Sequence, residues 1–139
     1  MLIPVDSKLA IHELLARAAF GYDERDKPLL ADCFANDASF TLRIAGGDLM
    51  GPFEGREAIM ALMTSSMDSQ NDVRRHVISN LFFAPTTDDQ VDVVSYLTLL
   101  ATEKGPSQTL STGIYRDTVR QTNGQWRIEK RHLDLDSNY

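Results

Sequence analysis

The sequence predicts a single α+β domain in which helices gather on one face of a curved antiparallel sheet and enclose a space. Three observations predict it. Apolar residues recur with a helical period through most of the first half. From about residue 73 the period changes to two, the spacing of a strand with two unlike faces. The later links, "APTTDDQ", "TEKGPS" and "QTNGQ", are short and rich in turn residues, which joins neighbouring strands in an antiparallel meander.

The first helix is expected to start at a cap on Asp6. It carries the stripe Ile11, Leu14, Leu15, Ala18, Ala19 and Tyr22, then stops near "DERDKP". Pro28 has the fixed φ that suits a first turn and opens a short second helix, in which Leu29, Leu30, Cys33 and Phe34 pair along one side. Asn36 and Asp37 are expected to close it. "ASFTLRIAG" alternates like a strand, and "GGDLMGPFEG" reads as a turn-rich loop. A third helix follows in "REAIMALMTSSM", with Ile59, Leu62, Met63, Ser66 and Met67 on one side. Strands at about 73–83, 91–101, 108–120 and 125–135 complete the order. Helices on one face of such a sheet make the α+β layering.

The chain of 139 residues is long enough for one well-packed core. Its net charge of −6 repels phosphate backbones, so nucleic acid is not an expected partner. It has no basic amphipathic stretch and no long apolar run, so no membrane partner is expected either. "MLIPVDSK" lacks the basic and apolar regions of a signal peptide. The single cysteine, Cys33, can form no internal disulfide and fits a reducing compartment, so a cytoplasmic location is expected. It falls on the apolar stripe of the second helix and is expected to pack. Nucleotide-binding glycine motifs are missing, and His12, His76 and His132 show no metal-ligand spacing, so no metal is expected.

The polar exceptions to the apolar pattern carry the functional reading. Asp23 lies one turn beyond Ala19 on the apolar side of the first helix. A carboxylate there is either a helix-end residue turned to water, as the charge run "DERD" suggests, or an acid aimed into a cavity. In "DVRRHVISN", simple alternation puts Arg74, His76, Ile78, Asn80 and Phe82 on one face and Val73, Arg75, Val77, Leu81 and Phe83 on the other. Neither face is clean, so alternation does not show where His76 points. An imidazole held by a carboxylate is fixed in one tautomer and can serve as a general base, and Asp23 is the plausible partner on the helix that caps this sheet. Gly113 inside a strand suggests a bend or a close approach. Tyr115 follows it on the same face. Arg131 and His132 sit on opposite faces of the last strand, and one of them can supply positive charge to an oxyanion or leaving group. The bland alternative for these charges is an exposed, salt-bridged strand edge.

The segments "FGYDERDKPLLADCFANDASF", "GPFEGREAI", "RRHVISN" and "GIYRD…NGQWRIEKR", in this order, resemble the SnoaL-like branch of the nuclear transport factor 2-like superfamily over residues 8–135. The resemblance implies a cone-shaped fold, three helices against a strongly bent sheet around a deep pocket. By motif the similarity is to its enzymes scytalone dehydratase, hexachlorocyclohexane dehydrochlorinase and bile acid 7α-dehydratase, which use no metal and no organic cofactor. Their Asp–His pair falls on Asp23 and His76. The tyrosine before that aspartate falls on Tyr22, aromatic pocket residues on Phe40 and Tyr115, and a last-strand arginine on Arg131. Met63 and Tyr96 complete the expected substrate-binding set. Ala101 and Ala18 stand where some relatives carry a second histidine and a polar helix residue. These departures bear on the substrate rather than on the pair.

What the resemblance implies is a cofactor-independent lyase, a dehydratase or related elimination enzyme acting on a small hydrophobic cyclic or aromatic substrate. Isomerisation, cyclisation or retro-aldol cleavage would use the same base. A different class is also implied: the β-subunit of an aromatic-ring-hydroxylating dioxygenase is similar in "RRHVISN" and "RIEKRHLDLD" and needs no site of its own. Helices cover one face of the sheet, so the other is expected to pair copies of the chain into a homodimer or homotrimer.

Overall fold

The structure, a computed structural model, describes residues 2–85, 87 and 89–138. Its elements run α1 (Val5–Asp23), α2 (Lys27–Asp32), β1 (Phe34–Ile44), β2 (Met50–Glu54), α3 (Arg56–Asp68), β3 (Val73–Pro85), β4 (Gln90–Thr102), β5 (Gln108–Thr122) and β6 (Gln125–Leu135). The six strands lie in the order β2-β1-β6-β5-β4-β3. Their pairings are antiparallel except β1 with β6, which is parallel. Register shifts in every pairing insert bulges that bend the strands, so the sheet curls around the helices without closing. The predicted α+β layering and the four-strand meander are both present.

Three local expectations are corrected. The N-cap of α1 is Pro4, whose carbonyl accepts from the Lys8 amide at 3.0 Å; Asp6 lies inside the first turn, with its Oδ1 on the Ser7 amide at 2.9 Å. Its charge there favours the helix through the macrodipole rather than as a cap. Asn36 and Asp37 do not close α2. The helix stops at Asp32, because the Cys33 carbonyl accepts from the Ile128 amide at 2.8 Å and Phe34 pairs with Ile128, drawing the chain straight into β1. The glycine-bearing loop contains β2, an exposed edge strand of 5 residues with Gly51 and Pro52 inside it. Such a segment has no periodic signal; its pairing of Phe53 with Phe40 comes from the neighbour.

Between α1, α3 and the inner sheet face lie Ile11, Leu15, Phe34, Ile59, Leu97, Leu99 and Ile128, all fully buried. Each such side chain contributes about 1.5–3 kcal/mol on burial. Gly113 is a true close approach: a Cβ there would lie 2.6 Å from the Asp134 carbonyl oxygen. Among the described residues no helix is long and apolar enough to cross a membrane.

Cys33 packs in this core as expected, with its Sγ donating to the Leu29 carbonyl at 3.4 Å. Burial away from water pushes its thiol up to about 11. At neutral pH the reactive thiolate is therefore scarce. A disulfide-exchange reagent is expected to titrate Cys33 only when the protein unfolds. Rapid stoichiometric reaction in native buffer would contradict this placement.

Candidate active site

The last turn of α1 brings Asp23 inward rather than to water, with its side chain 7% exposed. One residue holds both of its oxygens. Oδ2 accepts from the His76 backbone N–H at 2.7 Å, and Oδ1 lies 2.5 Å from His76 Nδ1. A carboxylate on Nδ1 requires the proton there, which leaves the Nε2 lone pair as the basic atom. The Tyr22 ring packs edge-on against the imidazole, centroids 4.9 Å apart. Gln70, from the link between α3 and β3, donates to Tyr22 Oη at 2.9 Å, and its carbonyl accepts from Arg25 Nη2 at 2.8 Å.

The direction of His76 is decided by a bulge. Between Ser79 and Phe82, which pair with Tyr96 and Val94, β3 carries one extra residue, and Asn80 turns to φ 53°. Before the bulge Arg74, His76 and Ile78 face inward; after it Leu81 and Phe83 do, and Phe82 is exposed. Simple alternation, which put Asn80 and Phe82 on the face of His76, is thereby overturned. The bulge shifts the phase after Ser79, and the stretch before it keeps Arg74 and His76 inside with Val73 and Val77 outside.

A second polar group stands on β5 and β6. Asp117 and Arg131 pair directly across these strands. Arg131 donates from Nε to Asp117 Oδ1 at 2.7 Å and from Nη2 to Oδ2 at 3.1 Å. Their side chains are 0% and 9% exposed for Asp117 and Arg131, so this is no strand-edge ion pair. The guanidinium lies over the Tyr115 ring, its Cζ 4.1 Å from the centroid. Burial works against its charge, but the Asp117 carboxylate and then Tyr115 outweigh burial, so Arg131 is held above its ordinary pKa and stays charged.

Both groups border one cavity of about 110 Å³ between α1, α3 and the sheet. Apolar cavities of about 150 Å³ take benzene, so the scale is that of a single ring. His76, Tyr22, Arg131, Phe40, Tyr115 and Met63 all line it, among aliphatic neighbours. Asp23 stands behind His76 and holds it. Tyr96 does not belong. Ser95 and Leu97 point inward on β4, so Tyr96 points out and is 50% exposed on the far face. Among the described residues no cluster of His, Cys, Asp or Glu is placed to hold a metal ion.

A SnoaL-like domain matches this sequence over residues 4–132. The chain belongs to the SnoaL-like family. No curated protein matches it. Among solved structures, this SnoaL-like chain is similar to a protein of unknown function with a cystatin-like fold from Nostoc punctiforme: 25% identity, 98% of this chain and 96% of that one, TM-score 0.83. It is also similar to a candidate scytalone dehydratase from Novosphingobium aromaticivorans, at 22% identity over 94% and 85% of the two chains with a TM-score of 0.76. The β-subunit of a candidate aromatic-ring-hydroxylating dioxygenase from the same organism is similar at 16% identity over 96% and 91%, TM-score 0.81. The last two likenesses concern the fold alone.

Two residues of this SnoaL-like site were not anticipated from sequence, Asp117 and Gln70, while Ser66, read on the same side of α3 as Leu62 and Met63, adds a hydroxyl to the cavity wall. Asp117 was within reach of the pattern. It lies two residues from Tyr115 and two from Val119, so the period of the strand puts all three inside. Gln70 sits in a link without periodicity, and nothing local announces its contact with Tyr22.

Proposed function

We propose that this chain is a cofactor-independent lyase, with His76 as general base and a small, hydrophobic, cyclic or aromatic substrate. The observation that carries this reading is the Asp23–His76 pair at the wall of a mostly apolar cavity. His76 Nε2 takes a proton from substrate carbon. The C–H electron pair forms a double bond, and the neighbouring group leaves with its own bonding pair. Where that group is hydroxide, it takes up a proton and departs as water. Asp23 holds the imidazole and stabilises its charged form. Arg131, kept charged by Asp117, stands where negative charge on the substrate can be received. Tyr22 lies beside the base to assist the leaving group. Isomerisation or ring closure would draw on the same base.

The test has two readouts. Nitrogen-15 imidazole spectra should show His76 protonated on Nδ1, with that signal altered in Asp23→Asn. A screen of hydroxylated and halogenated cyclic compounds should then yield an elimination product. An Nε2-protonated His76 would overturn the assignment of the base. An intact pair, no turnover of any compound and co-purification of a large iron-containing chain would favour the dioxygenase-subunit reading.

The outer sheet face leaves Val77, Phe82 and Tyr96 exposed on β3 and β4. We expect these strands to pair copies of the chain into a dimer or trimer. Light scattering at micromolar concentration should give a multiple of the chain mass, and Phe82→Glu should shift it toward the monomer.

A further inference from the structure

The cavity is polar at His76, Tyr22 and Arg131, and at one further point that the proposed chemistry leaves unused. Ile59, Leu62, Met63, Ser66 and Met67 follow one another at helical spacing along the inward side of α3. Ser66 is the polar member of that stripe, and it stands on the cavity wall with Leu62 and Met63. A serine inside a helix often turns its hydroxyl back onto the carbonyl one turn earlier, here that of Leu62. No such bond forms. The Ser66 carbonyl accepts from the Ser69 amide at 3.2 Å and from the Ser69 hydroxyl at 2.9 Å, while the Ser66 hydroxyl bonds none of the described residues. Alanine would serve the fold better at this position, as a stronger helix former with no polar group to take out of water.

We propose that Ser66 is a specificity-determining residue, and that the substrate is a single ring bearing a second oxygen substituent that meets the Ser66 hydroxyl. This inference rests on the reading of the cavity as the substrate site. A hydroxyl that costs the fold and bonds nothing in it finds its partner in what enters the cavity. The three contacts come from different directions. His76 stands on β3 and Arg131 on β6, whereas Ser66 stands on α3 in the helix layer. A ring held at Arg131 by one oxygen and at Ser66 by another cannot turn freely in its own plane, so it presents one C–H bond to His76 Nε2. The Ser66 hydroxyl both donates and accepts, so the second substituent is a hydroxyl or a carbonyl oxygen. A carboxylate does not suit this position, because the α3 wall offers it Leu62 and Met63 and no positive charge.

The probes are phenol and its dihydroxy forms catechol, resorcinol and hydroquinone, titrated into wild type and Ser66→Ala and read at the methyl signal of Met63 on the cavity wall. At least one dihydroxy ring should bind wild type about fivefold or more tighter than phenol, the factor of one net hydrogen bond. Ser66→Ala should remove that advantage and leave the affinity for phenol within about twofold, since phenol lacks the second oxygen. The variant should melt no lower than wild type, because the hydroxyl holds nothing in the fold. Dihydroxy rings that bind no tighter than phenol, equal losses for phenol and the dihydroxy rings, or no ring compound that moves the Met63 signal would each overturn the proposal. A lowered melting midpoint in Ser66→Ala would overturn it too, by assigning the hydroxyl to the fold. The tautomer of His76 is read independently of these affinities, so the base can stand where the Ser66 contact fails.

Discussion

His76→Gln is expected to lower turnover by about a hundredfold to ten-thousandfold, the range over which a positioned general base contributes. The loss should fall on kcat, because the cavity that binds the substrate is built mainly by other side chains. Asp23→Asn is the sharper variant. It keeps the shape at the end of α1, and its amide can still meet the strand, but it removes the charge that favours the imidazolium. It also offers an N–H donor that can turn toward Nδ1 and reverse the tautomer, placing the proton on Nε2, where the base must be bare. The two single variants and the double variant should then have similar rates, since removing either member disables one unit. Steady-state kinetics on a substrate found in the screen checks this. Full activity in His76→Gln would end the role of His76 as base.

How much of this site is legible in the sequence depends on the distance over which each feature is set. The stripe from Ile11 to Tyr22 is local, and it orients α1 correctly. Asp23 is on the same stripe, yet local pattern alone favours solvent, because its partner lies 53 residues away. The four late strands are local too, and their short links dictate a meander. The parallel pairing of β1 with β6 joins residue 40 to residue 131, and no local pattern specifies it. This pairing places Phe40 beside Arg131 at the cavity. Asn80 shows the remaining difficulty. A residue able to take positive φ is visible in the sequence, but that it shifts the strand by one is visible only in the register with β4. Tyr96 fails for the opposite reason. The alternation of Val93, Ser95, Leu97 and Leu99 already points it outward, and an aromatic ring is no guide to a pocket.

Asp117→Leu is expected to destabilise the fold by about 3–5 kcal/mol, the cost of leaving a buried charge without its partner. The guanidinium of Arg131 has both Nε and Nη2 on that carboxylate and little water to replace it. For a domain of this size the thermal midpoint should fall by about 10 °C or more. The companion variant separates structure from chemistry. Asp117→Leu combined with Arg131→Met replaces the pair by apolar side chains of similar bulk, and such replacements are often neutral or stabilising in other proteins. The double variant should recover most of the lost stability, a strong coupling in the double-mutant cycle. If the pair served packing alone, recovered stability would bring recovered turnover. If Arg131 receives charge from the substrate, as proposed, the double variant is stable and slow, with loss in kcat that no gain in thermal midpoint restores. Thermal melts and kinetics on the four proteins of the cycle decide between these outcomes. Recovered turnover in the double variant would assign the pair to the fold and leave His76 to work without an electrostatic partner across the cavity.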